Sequence, residues 1–313
     1  MALTTNTRRQ FLAASTAATV GQVLGETPKE PVPGGVIDTH THFYDPTRPQ
    51  GVPWPRESEK ALYRTVLPEH YKTAIRGQGV LGTVVVEASS WFEDNQWVLD
   101  LAKDESLITG FIGKVAPGSA DFLTRVDTLA KNPLFRGIRL SAKRIKPDIT
   151  RPLAALAERG LTLDILGAAK FLDPTFALAK KIPDLKIVLD HLAGPVVGGD
   201  KPDPVWAGQI RRGGEFPNIY LKLSNLTDAA SRGGKDSVPL QPTPYRPWVD
   251  VAWDAFGKER ILYGSNWPVS TRSARYIDCQ NLAIACVREK DPGALEDVFR
   301  ENSRRVYGWK DRR

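Results

Sequence analysis

Short apolar runs recur along this chain with amphipathic segments between them, over residues 36–41, 83–88, 108–114, 137–141, 161–166, 186–191, 219–224 and 261–266. Each has the length of a buried strand. The second to sixth runs start roughly every 25 to 29 residues, the span of a strand, a helix and two loops. Residues 95–102, 120–130, 152–158, 174–181 and 248–256 mix apolar and polar positions at helical spacing. Eight such units predict a single (β/α)8 TIM barrel. An open doubly wound sheet is the alternative, and no internal sequence repeat is visible.

At 313 residues and 41% apolar content, the chain can bury one large core. Residues 1–27 read as a leader, 28–35 as a Pro/Gly-rich linker, and 36–313 as the barrel. The leader carries Thr7-Arg8-Arg9-Gln10-Phe11-Leu12 ahead of a weakly apolar Ala/Ser/Thr-rich run, which resembles a twin-arginine export signal and implies a periplasmic protein. A chance arginine pair on a cytoplasmic protein is the alternative. No apolar run reaches the ~18 residues that suggest a membrane span. The formal net charge is +7, yet no basic block is interleaved with aromatics, so nucleic acid is not the expected partner. The charge reads instead as a bias towards an anionic small-molecule substrate. Cys279 and Cys286, seven residues apart on a helical segment, are separated by ~10.5 Å of rise, too far for a disulfide.

In a barrel, chemistry belongs at the C-terminal strand ends and the loops that follow. Two of the chain's four histidines, His40 and His42, close the first strand in Ile37-Asp38-Thr39-His40-Thr41-His42-Phe43. Alternation places Asp38, His40 and His42 on one face. Glu87 ends the second strand, Arg139 lies on the fourth, His191 ends the sixth, Lys222 lies on the seventh and Asn266 ends the eighth. His70 reads as surface. The long segments 44–78 and 225–246 read as lids and specificity walls, with Tyr44 and Trp54 as substrate contacts.

His40, His42 and His191 are candidate ligands for a divalent metal, zinc suiting such a nitrogen set, with an open position for water or substrate. Without metal, the same imidazoles and Arg139 would shuttle a proton and stabilise an oxyanion. Arg139 shares parity with Gly137 and Ser141 and faces inward, to meet a substrate carboxylate, an oxyanion or an inward acid. Lys222 divides between a substrate-binding and a structural role. Glu87 is a ligand, a base or the partner of Arg139. There is no G-x-S-x-G elbow and no Walker or dinucleotide glycine loop, which excludes those classes.

Asp38-Thr39-His40-Thr41-His42-Phe43, Phe135-Arg136-Gly137-Ile138-Arg139, Val188-Leu189-Asp190-His191, Asn218-Ile219-Tyr220-Leu221-Lys222-Leu223-Ser224, Tyr263-Gly264-Ser265-Asn266-Trp267-Pro268 and Glu301-Asn302-Ser303-Arg304-Arg305-Val306-Tyr307 together resemble the amidohydrolase-2 family. They are most similar to its branch of sugar-acid and muconate-type lactonases. The resemblance covers residues 36 to 309 and implies hydrolysis of a small cyclic ester, sugar-derived or anionic, with or without a divalent metal. It carries the histidine roles to His40, His42 and His191, and the anion-binding arginine to Arg139. One position departs from the pattern: Asn266 stands where the family usually has the aspartate that serves as base or metal ligand. An amide takes no proton at neutral pH. Glu87 or His191 is then the candidate base, or a metal-bound hydroxide acts without one. Two other readings are a metal-dependent decarboxylase or hydratase on the same barrel, and a binding protein without turnover.

Overall fold

A computed structural model describes residues 31–234 and 238–312; the leader expected over residues 1–27 lies outside them. Eight strands, β1 (Val36–Thr41), β2 (Val80–Val86), β3 (Ile108–Gly113), β4 (Phe135–Ser141), β5 (Thr162–Leu166), β6 (Ile187–Leu189), β7 (Ile219–Ser224) and β8 (Ile261–Gly264), pair in sequence order, every pair parallel. A parallel bridge from Thr41 to Trp267 and the Thr39 hydroxyl donating to the Tyr263 carbonyl at 2.6 Å draw the last strand against the first. Gly264 permits that approach, because a Cβ there would lie 2.8 Å from the His40 Cβ. The architecture is the (β/α)8 barrel that the spacing predicts.

The helices are α1 (Pro68–Ala74), α2 (Glu93–Leu101), α3 (Phe122–Ala130), α4 (Thr150–Glu158), α5 (Asp173–Lys181), α6 (Pro204–Gly214), α7 (Leu226–Ser231), α8 (Arg246–Phe256), α9 (Tyr276–Lys290) and α10 (Asn302–Tyr307). Their ends carry local signals. Asp203 caps α6 by accepting from the Trp206 amide ahead of Pro204, while α5 opens on Asp173-Pro174 and closes on Lys180-Lys181, complementing its dipole. Two short helices, α1 and α7, interrupt the segments read as long loops. Cys279 and Cys286 are free thiols. No described helix is long and apolar enough to cross a membrane.

Inside the barrel Ile37, Val84, Val86, Ile112, Val188 and Leu262 pack with Val306, Tyr307 and Trp309, so the end of the chain plugs the barrel from below. This packing corrects the alternation along β1. Three steps on β1, from Asp38 to Thr41, match two on β2, from Thr83 to Val85, so an extra residue is inserted there. The bulge lets both Ile37 and His40 face the barrel axis and sends Asp38 the other way. Asp38 then accepts from the Tyr71 hydroxyl of α1 at 2.8 Å and the Ser265 amide at 2.8 Å. It is a buried tie between elements rather than part of the histidine face.

Candidate active site

The C-terminal ends of the strands open on a cavity of about 370 Å3. His42, Glu87, Lys114, Arg139, His191 and Asn266 supply its polar lining, with Trp54, Leu166 and Val269 among its apolar walls. Strands β6 and β8 end earlier than their apolar runs suggest. His191 and Asn266 follow two residues past the strands with φ of 55° and 58°, in left-handed backbone. Asparagine adopts that region readily; histidine does so at some cost, a kind of strain that gathers at functional sites.

His40 lies fully buried beneath the cavity, its ring centroid 4.3 Å from His191 and 5.0 Å from His42. Its Nδ1 is 3.4 Å from Asp190 Oδ1 and 3.3 Å from Lys222 Nζ, and its Nε2 is 3.4 Å from Arg139 Nη1. His42 donates from Nδ1 to the Val86 carbonyl at 2.9 Å. Asn266 donates to Asn225 Oδ1 at 2.9 Å. His191 engages Ser224 Oγ through Nδ1 at 2.8 Å, which leaves Nε2 as its ring nitrogen for the cavity. Arg139 is anchored by Nε to Glu87 Oε1 at 3.1 Å and by Nη2 to the Glu87 carbonyl at 2.7 Å.

Under this layer Lys222 Nζ stands 2.6 Å from Asp164 and 3.1 Å from Asp190, all three fully buried, and Tyr307 donates to Asp164 at 3.0 Å. Burial alone would raise Asp190, but Lys222 and His40 hold it well below the carboxylate range. Burial pushes Asp164 up to about 6 despite Lys222. Lys222 resists the desolvation that would discharge it, because the two carboxylates hold its pKa above the usual lysine value. One ammonium thus serves two carboxylates below the histidines.

The substrate contacts read from the sequence divide accordingly. Lys222 does not reach the cavity, since its charge is spent on Asp164 and Asp190. Tyr44 is also buried and donates to the Leu62 carbonyl, its ring at 5.4 Å from Trp54, which it supports from behind. Trp54 itself faces the cavity with its ring edge on His42, and Glu87 does so while paired with Arg139. His70 is exposed on α1. Lys114, one residue past β3 and 3.6 Å from Glu87, joins the site unannounced; its rim position at a strand end was the available signal. Asp164 carried none, because only closing the barrel brings it against Lys222.

Burial pushes His42 down to about 3, His191 to about 4 and His40 well below the ordinary 6.5, so all three are neutral at neutral pH. The unfolded chain regains ordinary histidines and binds more protons as the pH falls from about 6.5 towards 4. The stability these rings contribute is therefore complete above about 6.5 and lost through that window. Asp164 and Asp38, both raised by burial, act in the opposite sense, and three histidines outweigh two carboxylates. Each net proton is worth ~1.4 kcal/mol per pH unit. A thermal midpoint that falls steadily from pH 6.5 to 4 is the expected result; a flat midpoint would mean that the rings are already charged when folded.

The donor set does not fit the three-histidine metal site. Both ring nitrogens of His40 face cations, Lys222 and Arg139, and a divalent ion at Nε2 would lie against a guanidinium. Asn266 offers a weakly coordinating amide where a carboxylate would complete the shell. Among the described residues no group of three His, Cys, Asp or Glu side chains is disposed to hold a metal ion.

A parallel eight-stranded barrel with a histidine- and arginine-lined cavity at the C-terminal strand ends defines the amidohydrolase class of architecture. The chain belongs to the amidohydrolase family, whose profile matches residues 37–309. It is 30% identical to an L-fucono-1,5-lactonase of Burkholderia ambifaria over 285 residues, covering 87% of this chain and 94% of that protein. A second L-fucono-1,5-lactonase, from Burkholderia multivorans, is 27% identical over 79% of this chain and 86% of its own. The fold also matches a solved, zinc-bound amidohydrolase from Burkholderia multivorans at a TM-score of 0.79 and 24% identity, over 88% of this chain and 99% of that one.

Proposed function

We propose that the protein hydrolyses a small lactone, with His191 accepting the proton of the attacking water. The observation that carries this assignment is the state of the three imidazoles. His40 is buried with its Nε2 against Arg139 and His42 is tied through Nδ1 to the Val86 carbonyl, whereas His191, whose Nδ1 pairs with Ser224, offers Nε2 to the cavity. With Nδ1–H donating to the Ser224 hydroxyl, Nε2 carries the lone pair that accepts the proton.

Water oxygen bonds to the lactone carbonyl carbon as its proton passes to His191 Nε2. The resulting oxyanion is stabilised by the Arg139 guanidinium, which Glu87 holds in place, and by Lys114. Collapse breaks the ring C–O bond, and the imidazolium returns its proton to the departing alkoxide. Asp190, buried and anionic beside these rings, favours the transient positive charge on His191. Trp54 and Leu166 offer apolar surface to the substrate's carbon skeleton. The similarity to two L-fucono-1,5-lactonases supports a sugar-derived substrate.

The purified protein is expected to open aldonolactones in the presence of a chelator, followed by acid release at constant pH. Dependence on added metal would overturn the side-chain mechanism. The Asn266→Asp variant bears on the second reading, a binding protein without turnover, which the missing carboxylate favours. A wild type inert on every lactone that this variant cleaves would establish that reading instead.

A further inference from the structure

A second cavity, of about 380 Å3, lies at the opposite end of the barrel. It is bounded by the close of α2, the N-terminal ends of β3 and β4, and the tail beyond α10. Its volume is within the range of small-molecule sites. Leu99, Ala102 and Leu134 supply apolar wall, and the charged lining is almost entirely basic.

The disposition of those charges is unusual. Lys103 is satisfied by Asp100 at 2.7 Å. Arg136, Lys310 and Arg312 have no such carboxylate partner among the described residues. Arg312 donates to the carbonyls of Ala102, Glu105 and Ile108 but to no carboxylate. The Arg136 side chain has no hydrogen-bond acceptor or acid among the described residues, and its Nε is buried without a partner. Burial alone lowers its pKa, with no carboxylate opposing. Asp311 is the single acid among the described lining residues. Among the described lining residues three such cations and one carboxylate surround a hollow with an apolar side. Gathering cations around a partly desolvated space costs free energy unless an anion enters it.

We propose that this cavity is a second binding site, for a compact dianion on a short carbon skeleton, with Arg136 as its central contact. A phosphate ester and a small dicarboxylate share that chemistry. Arg136 would form a charge-assisted pair with one anionic group, while exposed Lys310 and the carbonyl-anchored Arg312 add positive potential beside it. This inference is independent of the reaction at the other end of the barrel.

Calorimetric titration of the full chain at low salt tests it, using glycerol 3-phosphate and succinate as probes and glycerol as the neutral control. Saturable binding of at least one dianion, and none of glycerol, is expected. Arg136→Gln should weaken that binding roughly ten- to a hundredfold, the loss of one charged hydrogen bond. Lys310→Gln, at an exposed position that cannot disturb folding, should weaken it in the same direction. Lys114→Met in the C-terminal cavity should leave it unchanged. The preferred probe distinguishes phosphate from dicarboxylate recognition. Absence of saturable heat for both dianions would overturn the proposal. So would binding that survives Arg136→Gln and disappears in Lys114→Met, since the anion would then occupy the other cavity.

Discussion

His191→Gln is expected to lower kcat for lactone opening by roughly 10²–10⁴-fold with little change in KM, the usual worth of a positioned general base. Glutamine keeps a polar side chain within reach of Ser224 but cannot accept a proton. The loss therefore reports proton transfer rather than collapse of the cavity wall. The pH profile adds a readout that a packing role would not move. The wild-type rate should be level through neutrality and fall towards pH 4, where His191, at about 4, becomes charged. The residual rate of His191→Gln should lack that limb. Ser224→Ala, which frees Nδ1 and lets the ring change tautomer, should lower kcat while keeping the limb. Wild-type turnover in His191→Gln would remove this histidine from the mechanism and return the role to His42 or Glu87.

Lys222→Met is expected to destabilise the fold by about 3–5 kcal/mol in urea denaturation, because it strands buried carboxylates without their cation. Asp164 and Asp190 are both fully buried, and Lys222 is the ammonium between them. Exposed ion pairs elsewhere, such as Arg125 with Asp121, are worth far less. Asp164→Asn combined with Lys222→Met should recover part of the loss, since one stranded charge disappears with the ammonium. A double variant no more stable than the single one would show that the lysine acts by packing. Activity should fall as well, through His40: its Nδ1 meets both Lys222 and Asp190, and its Nε2 faces Arg139.

The barrel was legible because its signal is local and repeated. Buried parallel strands need unbroken apolar runs, and the helices between them need an apolar stripe. The helices α6 and α9 passed without a boundary, and α1 and α7 hid in segments that Pro and polar residues made loop-like. The lining of the candidate site was legible wherever a chemically distinctive residue stood at or near a strand end, as His42, Glu87, Arg139, His191 and Asn266 do. It was illegible where parity or charge partnering decided the outcome. Strict alternation set Asp38 beside His40, and the bulge in β1 separated them. Lys222 read equally well as a substrate contact or a structural cation.

The sequence by itself determined the eightfold strand pattern, the rim residues and the substitution of an amide at position 266. These follow from residue type and spacing, which are properties of the chain in one dimension. Only the tertiary structure decided what each group could do. Barrel closure brings Asp164 of β5, Lys222 of β7 and Asp190, just past β6, together under His40. Burial then makes His40, His42 and His191 neutral, sets Lys222 and Arg139 against the ring of His40, and leaves His191 Nε2 for the cavity. Protonation and coordination depend on desolvation and on neighbours distant in sequence, and folding alone creates both.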